Sequence, residues 1–170
     1  GKKGACGENS VLRVGRAALH MWEEPCISGK NGSGTVFFSG CSLKCVFCQN
    51  YAVSRSEKGR SVTADELVGI YFDLVRQGAH NINLVTPTHF APVVTESVIK
   101  AKDGGIGVPF VWNSSGYETP EFFRNSAGIF DVFLPDFKYV SSEISRKYSV
   151  AGDYSEVALN VLKAMREAQP

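Results

Sequence analysis

Three of the five cysteines in this chain fall within eight consecutive residues, at Cys41, Cys45 and Cys48. An odd number of cysteines clustered in this way is a poor disulfide framework, so the spacing C-x3-C-x2-C favours metal ligation. Three thiolates on a four-iron cluster would leave one iron without a protein ligand. An open iron of this kind is what a chelating substrate needs, and it is the chemistry that this loop predicts.

Two other interpretations of the cysteines stay open at this point. A structural zinc site takes four ligands, and Cys26 or His20 could provide the fourth. The bacterial ferredoxin spacing needs a fourth local cysteine, which this loop lacks. We therefore expect an iron–sulfur cluster with one open iron. The alternative is a cysteine-ligated zinc or iron–sulfur binding module without further chemistry.

The cysteine loop directly follows a predicted strand, and further strands alternate with helices after it. Short β-rich runs predict strands over residues 35–39, 81–86, 108–112 and 130–134. Right-handed crossovers between them would make a parallel sheet with helices outside. The carboxyl ends of the strands then share one edge, where βα barrels and open α/β sheets bind ligands.

Helical patterns fill the gaps between these strands. A capping box over residues 63–66 begins one helix, and Gly78 is its expected end. The apolar residues of that helix share one face, and they are Leu67, Ile70, Tyr71, Leu74 and Val75. Further helices are predicted over residues 92–102, from Thr119 onward, over 142–147 and over 155–168. The first 33 residues look irregular, with a helix predicted over 11–22.

These elements predict an α/β fold, a partial parallel (β/α) barrel of the TIM type with about four βα units. Four units are too few to close a barrel, and they would leave the fourth strand as a bare edge. Because the chain also starts without Met and stops after a helix, we expect a truncated core. Residues 1–33 would be a lead-in, the remnant of a cysteine-containing segment, and residues 34–170 would be the N-terminal part of the barrel.

Charge and composition exclude several classes of partner. The 18 basic and 17 acidic residues give a net charge of +1, and no basic block stands out. We therefore expect no binding to nucleic acid or to an anionic membrane. There is no apolar run of transmembrane length and no signal segment, so the expected compartment is the cytoplasm.

The residues around the cysteines carry a resemblance to a known family. The spacing Cys41-x3-Cys45-x2-Cys48 after a first strand, with Phe47 before the last cysteine, resembles the signature of the radical S-adenosylmethionine (SAM) superfamily. The flanking residues 37–41 and 48–51 are similar to those of pyruvate formate-lyase activating enzyme-related proteins, in particular the activase-like Fe–S branch. The similarity spans nearly the whole chain.

The resemblance implies a radical SAM enzyme, an oxidoreductase of the activating-enzyme type. A [4Fe–4S] cluster on Cys41, Cys45 and Cys48 would reductively cleave SAM to methionine and a 5′-deoxyadenosyl radical, which abstracts hydrogen from the substrate. The implied partners are a glycyl-radical enzyme or a peptide as substrate and a flavodoxin- or ferredoxin-type electron donor. The implied SAM contacts are Phe47 near the adenine and, at the tips of later strands, Thr86, Thr88, Asn113, Ser115, Asp136 and Lys138.

Three other residues have roles that the sequence leaves open. His89 lies at the tip of the second predicted strand, where it could face the site or be held by a local hydrogen bond. Cys6 looks like the end of an N-terminal cysteine-rich segment found in longer relatives. Cys26 has no visible partner, and we expect it to be a small buried apolar residue.

Overall fold

The computed structural model of the chain describes residues 2–55 and 59–169. Within those residues it contains one sheet of six strands: β1 (Arg13–His20), β2 (Ser33–Phe38), β3 (Arg60–Ser61), β4 (Ile82–Val85), β5 (Phe110–Ser114) and β6 (Val132–Pro135). Their order across the sheet is β3-β1-β2-β4-β5-β6. Strands β2, β4, β5 and β6 are parallel, at the four places predicted from the sequence.

The helix predicted over residues 11–22 is wrong, because β1 occupies most of that segment. This strand pairs antiparallel with β2, so that Val14 lies opposite Phe38 and His20 opposite Ser33. Strand β2 is buried along its whole length, so its backbone groups need hydrogen-bonding partners on both edges. Strand β4 hydrogen-bonds to one edge of β2, and β1 hydrogen-bonds to the other. This need for a second partner strand outweighs the helix propensity of residues 11–22. The division between residues 33 and 34 stays a prediction.

Of the helices in the described residues, five lie close to where the sequence predicts them, and two short helices of four residues each were not predicted. In the described residues they are α1 (Pro25–Ser28), α2 (Tyr51–Ser54), α3 (Ala64–Arg76), α4 (Ala91–Asp103), α5 (Pro120–Asn125), α6 (Ser142–Ser149) and α7 (Tyr154–Ala168). The capping box of α3 is formed in both directions. The Glu66 N–H donates to the Thr63 hydroxyl at 3.2 Å, and the Thr63 N–H donates to the Glu66 carboxylate at 2.8 Å.

The longer helices cover one face of the parallel strands. Apolar residues of α3, α4, α5 and α7 pack against the outward-facing residues of the strands, among them Phe38, Leu84 and Trp112. Strand β6 is the last strand of the sheet in the described part of the chain, and its four residues are half-buried. The result is the expected α/β fold, a mostly parallel sheet consistent with a partial TIM-like barrel. No helix in the described residues is long and apolar enough to cross a bilayer.

Candidate cofactor site

A cavity of about 680 Å³ opens at the carboxyl ends of the parallel strands. The tips of β2, β4, β5 and β6 form one part of its wall, and the loop over residues 40–50, here called the cysteine loop, forms another. This volume lies within the range of roughly 300–1,000 Å³ that is typical of small-molecule sites. The cavity is therefore large enough for a cofactor together with part of a substrate.

Backbone hydrogen bonds hold the cysteine loop from several directions. The Cys41 N–H donates to the carbonyl oxygen of Cys6 at 3.2 Å, which ties the loop to the N-terminal arm. The Val46 N–H donates to the carbonyl oxygen of Tyr148 at 3.0 Å, which ties it to the end of α6. The Arg55 guanidinium donates to two carbonyl oxygens of the loop itself. These contacts fix the loop backbone in the absence of regular secondary structure.

A buried leucine and two residues with positive φ set the path of the loop. Leu43 is fully buried, and it packs in a second apolar cluster with Tyr139 and Tyr154. Gly40 has φ +83° and Lys44 has φ +51°, so both lie in the left-handed region. This conformation is free for glycine and costly for other residues. The loop therefore turns Leu43 into the protein and its cysteines toward the cavity.

The three thiols lie at the boundary between this cluster and the cavity. Ser149 Oγ donates a hydrogen bond to Cys45 Sγ at 2.9 Å, and Cys48 Sγ lies 3.3 Å from Ser54 Oγ. Burial raises the pKa of the Cys41 thiol above its ordinary value, and negative charge on the other two cysteines adds to that rise. Thiolates that border one cavity are stabilised by a nearby positive charge, which the irons of a cluster would supply. The donor set fits a cysteine-ligated cluster.

The arrangement differs from that of a mononuclear site. In the residues that the structure describes, no group of three or more His, Cys, Asp or Glu side chains could hold a metal ion. In the described residues, neither candidate for a fourth zinc ligand forms such a group with the three cysteines. His20 packs its ring edge-on to Phe37 at 5.8 Å, and Cys26 is exposed. The expectation that Cys26 is buried is wrong, because α1 presents this residue to solvent.

Most of the predicted SAM contacts border the cavity. They are Phe47, Thr86, Asn113, Ser115, Asp136 and Lys138. Thr88 instead lines a separate recess behind the strand tips, where its hydroxyl donates to the Glu118 carboxylate. His89 does not line the cavity either, because its Nε2 donates to the carbonyl oxygen of Ser39 at 2.6 Å. Burial lowers the pKa of His89, so the ring is neutral and braces the end of β2.

An ion pair between Lys138 and Asp136 lies at the cavity wall, at the tip of β6. Lys138 Nζ lies 2.5 Å from Asp136 Oδ2. Burial is the largest single influence on the pKa of Lys138 and lowers it, but the contacts with Asp136 together raise it above its ordinary value. Lys138 is therefore a fixed positive charge at the cavity, while Asp136 is largely exposed.

Sequence reasoning missed the residues that enter the cavity from the segment between β1 and α1. Trp22, Glu23 and Glu24 border it, and so does His20 at the end of β1, which the sequence offered only as a zinc ligand. The sequence contained one signal, the run Trp-Glu-Glu-Pro over residues 22–25 in a segment that otherwise looked irregular. No residue spacing in this run predicts a site. Its position at the cavity follows from the antiparallel pairing of β1 with β2.

Glu118 was also not predicted from the sequence, and its carboxylate holds residues at the tip of β5 by hydrogen bonds. Its carboxylate accepts hydrogen bonds from Trp112 Nε1 at 3.1 Å, from Ser114 Oγ at 2.5 Å and from the Thr88 hydroxyl. Burial raises the pKa of Glu118, although these three donors oppose the rise. Since Ser114 and its neighbour Asn113 border the cavity, this network fixes part of the cavity wall.

Comparisons with known proteins agree with this geometry. The family model of the radical SAM superfamily matches residues 35–170, which include the cysteine loop and all the parallel strands after the first two residues of β2. The chain is also similar to a protein of Methanocaldococcus jannaschii that is itself described as uncharacterized, with 31% identity over 150 residues. That alignment covers 82% of this chain and 42% of the relative, so the chain spans less than half of the relative's length.

The family match adds its cofactors to the description of the site. Members of this superfamily use a [4Fe–4S] cluster and SAM. The match covers well over half of the chain, and the cysteines, the cavity and the parallel strand tips that it includes are the parts that such cofactors require. The chain belongs to the radical SAM superfamily.

Proposed function

We propose that this chain holds a [4Fe–4S] cluster on Cys41, Cys45 and Cys48 and uses it to cleave SAM in the cavity. Held by these cysteines and reduced, the cluster would supply the single electron for cleavage of the C5′–S bond of SAM, which yields methionine and a 5′-deoxyadenosyl radical. The single observation that supports this proposal best is that the three thiols border one cavity at the strand tips. The enzyme class follows from the family, and the ligand assignment is ours.

The residues of the cavity wall suggest how SAM is held. Phe47 lies on the loop beside Cys48, and its ring meets Tyr139 edge-on at 6.1 Å, so it offers an aromatic surface for the adenine. Lys138 supplies a positive charge for the carboxylate of SAM. Hydrogen-bonding groups for the remaining polar atoms of SAM are available at the cavity wall from Thr86, Asn113 and Ser115. We propose no such contact for Thr88, because Glu118 takes its hydroxyl.

Anaerobic reconstitution tests the proposal directly. We expect a brown protein with about four irons and about four sulfides per chain, which cleaves SAM to 5′-deoxyadenosine when dithionite is present. Replacing any one of Cys41, Cys45 and Cys48 with alanine should remove most of the iron and all of the cleavage. Cys26→Ala is the matched control, since Cys26 is exposed and does not border the cavity.

Two results would contradict the proposal. One is a colourless protein that binds zinc with high affinity, which would favour a cysteine-ligated binding module without radical chemistry. The other is a Cys45→Ala variant that keeps its full iron content, because Cys45 is the most deeply buried of the three thiols.

We further propose that the radical acts on a peptide, most simply a glycine of a partner enzyme, as in activating enzymes. The cavity rim supports a macromolecular substrate, because Trp22 and Phe47 border the opening with 88% and 56% of their surfaces exposed. Exposed aromatic residues around a pocket are typical of protein-binding sites. The proposed electron donor is a flavodoxin or ferredoxin, which also fits a cytoplasmic enzyme.

The substrate proposal is tested with this protein and a glycyl-radical enzyme encoded near it. Electron paramagnetic resonance should detect a glycyl radical that depends on SAM and on the three cysteines. Trp22→Ala should lower formation of this radical and leave uncoupled cleavage of SAM unchanged. Equal losses in both assays would place Trp22 in the SAM site and remove this support for a peptide substrate.

A further inference from the structure

The cysteine loop and the end of α6 form a second surface, made of residues that do not border the cavity. Val46 lies between two of the proposed cluster ligands along the chain, yet 64% of its surface is exposed and it does not line the cavity. We call this surface the outer face. Its residues are all exposed, none of them lines the cavity, and they are Val46, Arg55, Arg146, Lys147, Tyr148 and Val150.

One peptide group joins the parts of the outer face. The Val46 N–H donates to the Tyr148 carbonyl oxygen at 3.0 Å, and the Cys45 carbonyl oxygen of the same peptide accepts from the Arg55 guanidinium at 3.4 Å. Because the N–H and C=O of a trans peptide point in opposite directions, Arg55 and Tyr148 lie on either side of this peptide. Lys147 Nζ lies 5.2 Å from the centre of the Tyr148 ring. The outer face is therefore continuous from the loop to the helix.

A single buried residue separates the outer face from a proposed cluster ligand. Ser149 is buried, and its hydroxyl donates to Cys45 Sγ at 2.9 Å. The residues before and after it in the chain, Tyr148 and Val150, are 38% and 80% exposed. An electron that arrives at this surface has only Ser149 between it and the sulfur of Cys45. Because electron transfer slows steeply with distance, such a short path favours entry of electrons here.

The charged residues of the outer face are all basic. Arg55, Arg146 and Lys147 form no ion pair with an acidic side chain of the described residues. The acidic residue of α6, Glu143, lies in the first turn of the helix, whereas its basic residues lie in the last turn. Exposed apolar surface among basic side chains fits a small, transient interface with an acidic protein, since complementary charges speed the encounter.

We infer that the outer face is the docking surface for an acidic one-electron carrier protein, which passes its electron to the cluster by way of Ser149 and Cys45. In this step the carrier is oxidised by one electron and the cluster is reduced by one electron, and no bond forms or breaks. Since the outer face and the cavity share no residue, the carrier and a substrate can bind at the same time. This inference rests on the proposed function, because it requires a cluster on the three cysteines.

Rapid-mixing reduction of the reconstituted protein by reduced flavodoxin, an acidic flavin carrier, tests the inference. Lys147→Glu reverses one exposed charge of the outer face, so we expect the second-order rate constant to fall by about fivefold or more at low salt. In about 0.5 M salt the difference should shrink to less than about twofold, because screening removes the attraction. With photoreduced 5-deazaflavin, a small uncharged reductant, the rate should differ by less than about twofold at either salt concentration.

A second variant and a matched control separate docking from changes in folding or net charge. Val150→Asp also places a negative charge on the outer face, and Asp adopts the left-handed conformation of this position more readily than Val. It should slow flavodoxin in the same way. Lys30→Glu is the control, because Lys30 is exposed and precedes β2, at the opposite end of that strand from the cysteine loop. It should leave the rate with flavodoxin within about twofold.

Three results would overturn the inference. One is an equal loss in Lys147→Glu and Lys30→Glu, which would assign the effect to net charge alone. Another is an equal loss with flavodoxin and with 5-deazaflavin, which would indicate damage to the cluster. The third is a wild-type dimer in sedimentation that Lys147→Glu abolishes, which would assign the outer face to a second copy of this chain. A cluster that takes electrons from flavodoxin but cleaves no SAM would instead overturn the proposed function and leave this inference standing.

Discussion

Removing the hydroxyl of Ser149 should lower the reduction potential of the proposed cluster. In the structure a short relay reaches Cys45, in which the Tyr139 hydroxyl donates to Ser149 Oγ at 2.6 Å and Ser149 Oγ donates to Cys45 Sγ at 2.9 Å. All three side chains are buried. A hydrogen bond to a ligand sulfur stabilises the more negative, reduced form of a cluster, so its loss favours the oxidised form.

The size of the effect follows from the energy of one such bond. A hydrogen bond to a charged group contributes roughly 1.5–3 kcal/mol, of which we assign about 1 kcal/mol to the difference between the two redox states. For a one-electron couple, about 59 mV corresponds to a tenfold change in equilibrium constant, or about 1.4 kcal/mol. We therefore expect Ser149→Ala to shift the potential by about 40 mV in the negative direction.

The assay is an anaerobic redox titration of the reconstituted protein, followed by the electron paramagnetic resonance signal of the reduced cluster. Ser149→Thr keeps the hydroxyl and should stay within about 15 mV of the wild type. Tyr139→Phe removes the outer donor and leaves the direct bond to Cys45, so its shift should have the same sign and be smaller. Iron content, measured in each variant, separates a change in potential from a loss of cluster.

Two outcomes would refute this reasoning. The potential of Ser149→Ala could remain unchanged at full iron content, which would show that the hydroxyl does not act on the cluster. Tyr139→Phe could instead give a larger shift than Ser149→Ala, which would show that the relay is not the route of the effect. Either result would leave Ser149 as a packing residue of α6.

Four further predictions concern stability and are measured by urea unfolding of the same chain. Gly40→Ala should lower the free energy of unfolding by about 2–4 kcal/mol and reduce iron uptake, because φ is +83° and a Cβ would lie 2.7 Å from Glu8 Cγ. Gly69→Ala, in α3 with open space around it, should instead raise the free energy of unfolding by about 0.5–1 kcal/mol. Val150→Gly should raise it by about 1 kcal/mol, because this exposed β-branched residue has φ +58°. Because burial raises the pKa of Glu118 in the folded state, its contribution to stability should be greatest below the ordinary value of 4.5 and decline as pH rises from there through the raised pKa. Glu118→Gln should remove that decline. An unchanged pH slope in this variant, or a Gly69→Ala loss as large as that of Gly40→Ala, would contradict these assignments.

The sequence predicted the regular part of the fold because its signals are local. The period-3.6 apolar pattern and the capping box identified α3, and the short β-rich runs identified the four parallel strands. The exception is β1, whose apolar residues follow neither the helical period of 3.6 residues nor the strand period of 2. Its conformation depends on hydrogen bonding to β2, a partner more than ten residues further along the chain, and local patterns contain no information on that pairing.

In the candidate site, too, some positions could be predicted from local sequence and others depend on tertiary structure. Most predicted contacts border the cavity because parallel strands bring their tips to one edge, so that a position just after a strand implies a position near the cysteines. Thr88 and His89 also follow a strand, but the chain enters a 3₁₀ turn over Thr88–Phe90 that directs both side chains away from the cavity. Position along the chain could not reveal that turn.

The sequence by itself determined the chemistry that is available to this protein, because three cysteines in eight residues restrict the metal centre and the βα alternation restricts where it lies. Only the tertiary structure decided which other groups contact those cysteines or line the cavity beside them. It brought Ser149 to Cys45 and Glu23 to Asn113, over separations of 104 and 90 residues. Contacts over such distances are set by how helices and strands pack, and packing depends on the whole chain rather than on any single motif.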